Sequence, residues 1–288
     1  MSQSQFKTQS TFLLLAGATV IAIAMSGCGR AEFAFENGGS FSQTEPPTVC
    51  SPFNPANPPS NQNGLAGTIQ YLEAAQPRYS SVLDMVSKGK DAGVKLILSQ
   101  LDVPTVAFTK GFLDSKSGSP LKTSSGDTLI EWFSIDLRSE LMLSDSDPAG
   151  FYQLALISDD GSILNVDADL SKDGTVLIDN DGTHPTRMGC STKAIELKKN
   201  ETRPIRVKFY QGPRYHIALT LMWRKVDSEN ASKDALCGTS GNDTFWDSTK
   251  VPSLPTAKYN ELLLRGWKVV PSKNFILPGD VRSNPCVK

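Results

Sequence analysis

TRPIRVKFYQGPRYHIALTLMWRKV, residues 202–226, is the stretch on which the fold turns. In its first half Ile205, Val207 and Phe209 fall on one side of an extended chain, and Arg206, Lys208 and Tyr210 on the other. Its second half keeps the same step, with Tyr215, Ile217, Leu219, Leu221 and Trp223 facing inward. A period of two held this long specifies strands with one buried face each. Pro204 has no N–H to give to a ladder, so it belongs at a strand start or an edge.

Working outward, TLIEWFSIDLR (128–138), GFYQLALIS (150–158) and GTVLID (174–179) are also strand-like, with turn residues between them. GLAGTIQYL (64–72), VKLILSQL (94–101) and VPTVAF (103–108) extend the pattern upstream. Many short strands separated by turns predict an all-β fold, an antiparallel sandwich or barrel. Two short helices interrupt it. PRYSSVLDMVSKGKDAG (77–93) puts Val82, Met85 and Val86 on one face and stops near Gly89. TAKYNELLLRGWKVV (256–270) has Thr256 as its cap and Gly266 as its stop. Residues 227–288 are too few for a core of their own. They are expected to form a small C-terminal extension packed on the 64–226 domain and pinned through Cys237 or Cys286.

FLLLAGATVIAIAMSGC (12–28) follows a single positive residue, Lys7, and is too short for a membrane-spanning helix. It reads as a signal peptide over residues 1–27. Met25-Ser26-Gly27-Cys28 resembles the lipobox of a bacterial lipoprotein. That resemblance implies cleavage before Cys28, acylation of its thiol (palmitate) and membrane attachment through the N-terminal lipid. Gly29 after the cysteine points, by the same resemblance, to the outer membrane of the cell envelope. Residues 28–63, rich in Ser, Pro, Asn and Gly, read as a flexible tether. Roughly 260 residues follow the signal, enough for one large all-β domain or two small ones.

The chain has 5 cysteines. With Cys28 given to lipid, Cys50, Cys190, Cys237 and Cys286 are left, an even number for an oxidising compartment. Three pairings are open. Cys50 with Cys237 is favoured because the two bracket the best-patterned region. No CxxC and no His at zinc-ligand spacing occurs, which removes a zinc site. A net charge of −1 without a basic block gives no sign of a nucleic-acid partner.

Chemistry concentrates in LISDDGSILNVDADL (156–170), where Asp159 and Asp160 stand side by side before Gly161. Adjacent carboxylates repel, so they form a polar turn or share a cation. Asp-Gly is a frequent hairpin turn. Neither DADLSKDG nor DNDG has the glycine spacing of an EF-hand. No serine elbow, phosphate loop or marked carboxyl pair points to catalysis, and the chain is read as a non-enzyme.

GLAGTIQYL, VPTVAFTKGF, GFYQLALISDDGSILNVD, VLIDNDGTH, RPIRVKFY and IALTLMW, in that order, resemble a PA14 domain, including the related fibro-slime group. The resemblance covers about Gly64 to Val226 and implies a PA14-type β-sandwich, a fold many of whose members bind carbohydrate. It further implies that Asp159 and Asp160 ligate Ca²⁺ through a cis peptide. An asparagine and backbone carbonyls of the loop before the last strand complete such sites. Here that loop is YQGPRYH, and Gln211, a longer amide, stands nearest the asparagine position.

The metal set is therefore Asp159, Asp160 and Gln211, and the ligand-binding candidates are Tyr210, Arg214 and Tyr215. Both tyrosines also fit an ordinary strand or core role. Asp167 and Asp179 suit backbone hydrogen bonds in turns better than metal. Asp181 is a weaker metal candidate, and His184 reads as loop packing. The expected function is a surface-anchored, Ca²⁺-assisted carbohydrate-binding or adhesion module with a cell-surface glycan as partner. The alternative is a structural or protein-interaction lipoprotein without a sugar site.

Overall fold

The computed structural model describes residues 45–53, 60, 62–281 and 284–287. The signal, the lipobox with Cys28, and the tether up to Thr44 lie outside the described residues. In chain order the first elements are β1 (Thr48–Cys50), β2 (Leu65–Tyr71), α1 (Val82–Lys88), β3 (Lys90–Asp91), β4 (Lys95–Leu98) and β5 (Asp102–Ala107). The central strands are β6 (Phe133–Met142), β7 (Gly150–Asp159), β8 (Ser162–Val166), β9 (Thr175–Asn180), β10 (Arg187–Cys190) and β11 (Ile195–Leu197). They are followed by β12 (Thr202–Gln211) and β13 (His216–Val226). The extension holds β14 (Trp246–Asp247), β15 (Leu254–Pro255), α2 (Ala257–Leu264), β16 (Lys268–Val269) and β17 (Phe275–Ile276).

The strands form an open sandwich, not a closed barrel. One sheet runs β1-β4-β2-β6-β12-β8-β9, with β17 beside β6 and β3 beside β2. The other runs β10-β7-β13-β16, with β11 beside β7 and β5 beside β13. Apart from the parallel β1–β4 pair, neighbours in both sheets are antiparallel. The alternation that opened the sequence reading becomes the core. Ile205, Val207 and Phe209 meet Leu154, Leu156, Leu219, Leu221 and Trp223 across the sandwich. Trp223 lies over Tyr152 with ring centres 4.9 Å apart. Pro204 sits near the start of β12, just beyond its pairing with β8.

β7 and β13 are buried on both faces. Their outer residues Ala155, Ile157 and Met222 pack under Phe245, Trp246, Leu262 and Trp267 of the extension. That explains the nearly unbroken apolar runs LALI and IALTLMW, which a one-sided sheet would not need. The extension is locked down by Asp234, whose buried carboxylate accepts from Arg265, Arg224, Trp267 and the Leu236 N–H.

Several expectations change. The sheet begins inside the presumed tether, because Thr48–Cys50 pairs with β4. Three residues of extended chain there found an unpaired sheet edge, which composition does not reveal. The disulfides are Cys50–Cys286 and Cys190–Cys237, not Cys50–Cys237. Cys190 ends β10, and Cys237 lies in the loop that covers it, so each cysteine meets its spatial neighbour. Tyr215, expected inward, precedes β13 and is 66% exposed.

Candidate functional site

The chain crosses from one sheet to the other at Asp159-Asp160-Gly161. Asp159 ends β7 in one sheet, and Ser162 begins β8 in the other. The stretch is therefore an inter-sheet crossing rather than the hairpin that Asp-Gly suggests. Gly161 is needed here for space: a Cβ would lie 2.7 Å from the Tyr210 ring and 2.9 Å from the Asp181 carboxylate. The Asp159–Asp160 peptide is cis.

Both carboxylates are buried, Asp159 at 7% exposure and Asp160 at 4%. Asp160 accepts the Gly212 N–H at 2.8 Å on Oδ2 and the His184 N–H at 3.1 Å on Oδ1. Asp159 accepts the Thr186 hydroxyl at 3.4 Å. Among the described residues neither carboxylate forms an ion pair with Lys or Arg. Burial, then the neighbouring Asp160 charge, push the Asp159 carboxyl up to about 7. Burial also raises Asp160, and the Gly212 and His184 N–H groups partly counter it.

Gln211, at the end of β12, is 1% exposed. Its amide nitrogen donates to the His216 carbonyl at 2.9 Å and the Pro213 carbonyl at 3.3 Å. It thereby braces the turn into β13. Its Oε1 is buried and has no hydrogen-bond partner among the described residues. The same turn donates the Gly212 N–H to Asp160 and holds Trp132 through the Gly212 carbonyl. The structure thus brings Asp159, Asp160 and the Gln211–Gly212 backbone to one end of the sandwich.

Of the three ligand-binding candidates, Arg214 and Tyr215 lie exposed on this turn. Arg214 pairs with Glu131, Nη2 to Oε1 at 3.0 Å. Tyr210 does not present a face to ligand. It is fully buried on the outer side of its sheet with Met85 and Val82 of α1, and its hydroxyl bonds to Thr183 at 2.7 Å. An outward position in a strand pattern becomes buried when a helix covers the sheet.

Asp167 lies at the far end of β8, paired with Arg203. Asp179 accepts the Asp181 N–H in a turn. Asp181 accepts from the Ser81 hydroxyl at 2.9 Å and the Val82 N–H at 2.7 Å, capping α1 from a distant loop. All three aspartates are thereby spent on local structure.

Sequence reasoning missed two contributors. Thr186 joins the Asp159 carboxylate to the Thr105 hydroxyl. Asn242, from the extension, accepts the Thr186 N–H at 3.1 Å and contacts the His216 ring at 3.2 Å. Asn242 sits in the polar run GTSGNDTF, which carries no periodic signal of a contact with residues 56 positions away. His184 does more than fill the loop, since its N–H is one of the two fixing Asp160.

No family model matches the chain, and no curated protein does. Among solved structures it is similar to a PA14 sugar-binding domain from an RTX adhesin, at 14% identity over 75% of this chain and 99% of that one, TM-score 0.45. It is also similar to the A domain of epithelial adhesin 6 from Candida glabrata, solved with Galβ1-3GlcNAc, at 17% identity over 74% and 98%, TM-score 0.38. A third is the PA14 domain of the MpAFP antifreeze protein, at 15% identity over 64% and 90%, TM-score 0.35.

Proposed function

We propose that the chain is a surface-anchored module that binds carbohydrate with the help of Ca²⁺ held at Asp159 and Asp160. The observation that carries the reading is a pair of adjacent buried carboxylates with no cationic side chain among the described residues to neutralise them. Two carboxylates packed together in an apolar setting are costly unless protonated or shared by a cation. The donors fit a hard cation. They are oxygens only, and the orphaned Gln211 Oε1 adds a neutral one. Ca²⁺ takes six to eight oxygens, so carbonyls of the 212–215 turn and sugar hydroxyls would supply the remainder. No group of three His, Cys, Asp or Glu residues able to hold a metal exists among the described residues, so the site depends on those neutral oxygens. A bound cation would supply charge against which vicinal hydroxyls can be held. This chain's own part is to aim the two carboxylates through the Gly212, His184 and Thr186 donors. Exposed Arg214 and Tyr215 flank the opening and offer hydrogen bonds and a stacking face.

Calcium in excess over its dissociation constant should raise the melting temperature of the wild type, by the equivalent of about 2.7 kcal/mol at a hundredfold excess. Asp160→Asn should keep the fold and lose the shift. A wild type that shows neither heat on titration nor a melting shift sinks the calcium reading. Glycan-array hits that vanish with EDTA support the sugar. Absence of hits together with specific protein partners in pull-downs favours the structural alternative.

The anchor is part of the same proposal and rests on Met25-Ser26-Gly27-Cys28. Labelled palmitate should enter the wild type and fail to enter Cys28→Ser. Equal labelling of both would remove lipidation at this residue.

A further inference from the structure

The loop that serves both carboxylates is held from outside the 64–226 domain. His184 and Thr186, whose N–H and hydroxyl reach Asp160 and Asp159, are both buried and stand two residues apart. Residues 238–242 of the extension run beside this loop as a strap. The Gly238 N–H donates to the Met188 carbonyl at 2.7 Å, the Met188 N–H to the Thr239 carbonyl at 3.1 Å, and the Gly241 N–H to the Thr186 carbonyl at 2.8 Å. The Cys190–Cys237 bridge fastens the start of the strap to the end of β10. Gly241 has φ +143°, and a Cβ there would stand 2.6 Å from the Thr244 hydroxyl. Glycine allows the turn at this point, and the turn delivers Asn242 to the site.

Asn242 joins two loops through the two ends of one amide. Its Oδ1 accepts the Thr186 N–H at 3.1 Å, and its Nδ2 lies 3.2 Å from the His216 ring Nδ1. Because Oδ1 faces an N–H, the amide nitrogen is the donor to the ring. His216 begins β13, and its carbonyl accepts from Gln211 Nε2 at 2.9 Å. Each candidate ligand therefore has a support that leads to Asn242. Asp159 is reached through the Thr186 hydroxyl, Asp160 through the His184 N–H in the same loop, and Gln211 through His216.

From this convergence we infer that Asn242 is a positioning residue for the cation site, so that the binding unit includes the C-terminal extension. The inference rests on the reading of Asp159 and Asp160 as cation ligands. Two adjacent carboxylates repel, and fixed donors behind them are what keep both aimed at one point. Partners of this outer kind are typically worth about 10–100-fold in metal affinity. Removing the amide would leave the buried Thr186 N–H without its acceptor and would loosen the loop that carries both donors.

The test pairs calcium titration of the full chain with amide hydrogen exchange, read residue by residue in EDTA. Asn242→Ala should bind calcium about 10–100-fold more weakly than the wild type. In EDTA it should also speed exchange at the His184 N–H, two residues from the amide's own partner, by about fivefold, the equivalent of one net hydrogen bond. Asn242→Asp keeps an acceptor for the Thr186 N–H and should restore slow exchange at His184. Replacing Cys50 and Cys286 by serine weakens the fold at β1 instead, and should leave calcium affinity unchanged. An equal loss of affinity in that cysteine pair would assign the effect to general stability and overturn the positioning role. If the wild type binds calcium and Asn242→Ala binds it equally well, the positioning role is overturned while the calcium site stands. If the wild type binds no calcium, the calcium site falls and exchange in EDTA decides the rest. Unchanged exchange at His184 then overturns the role of Asn242, and faster exchange reversed by Asn242→Asp upholds it.

Discussion

Single carboxylates in this protein meet very different fates according to what their surroundings donate. Asp159 and Asp160 are buried with few donors and are pushed upward, Asp159 to about 7. Asp147 is also buried, and burial alone would raise it. Hydrogen bonds from the Ser144 and Asn274 side chains and the Ser144 N–H, with the Lys268 charge, outweigh that and hold it down to about 2. Its folded value thus lies below the ordinary 3.8. The stability it contributes is present above that value and drains away as pH falls toward about 2. Urea midpoints of the wild type should drop over this acid window. Asp147→Asn should be less stable at neutral pH and lose less across the same window. Identical acid slopes for the two proteins would remove Asp147 from the account. Residue-scale chemistry was partly legible in the sequence. The Asp159–Asp160 pair announces itself as two adjacent charges. Thr186, Asn242 and the donors of His184 and Gly212 do not, because their roles arise only when four separate loops converge.

At the scale of elements, the strand pair β12–β13 was readable because one side of each strand makes the core and the side chains alternate strictly. Tyr215 broke the pattern for a local reason: it lies in the turn before the strand begins. The place of the extension was legible only as packing. Its contact with β7 and β13 was foreshadowed by the apolar outer faces of those strands, but the residue that fastens it was not. Asp234 is an isolated aspartate in a polar run, yet Arg224, Arg265 and Trp267 all donate to it. Asp234→Ala should cost roughly 3–5 kcal/mol, the range for leaving a buried charge cluster without its partner. Denaturant unfolding measures this directly. A loss below about 1 kcal/mol would mean that the apolar contacts of Phe245, Trp246 and Trp267 hold the extension without it.

For the molecule as a whole, cysteine counting gave the right number of bridges and the wrong partner for Cys50. Chain order says nothing about which edge the last residues return to. Cys286 is brought back to the β1 edge by the residues following β17, where Asn284 bonds to the Ser60 carbonyl. Replacing Cys50 and Cys286 together by serine should lower stability by about 2–4 kcal/mol. Non-reducing thermal melts compare the two forms, and an unchanged midpoint would show that β1 and the tail are held by their other contacts. The bridge spans 236 positions of sequence while its two α-carbons stand 5.7 Å apart. In mechanical terms it is a short circuit. A pull applied between Glu45 and Val287 would run through a few residues on each side of the sulfur link and leave the enclosed strands unloaded. A pull between Glu45 and a ligand held at the Asp159–Asp160 end would instead have to cross the sandwich. The same molecule is therefore expected to be almost inextensible along one axis and to yield along the other, and reduction of a single bond would erase the difference.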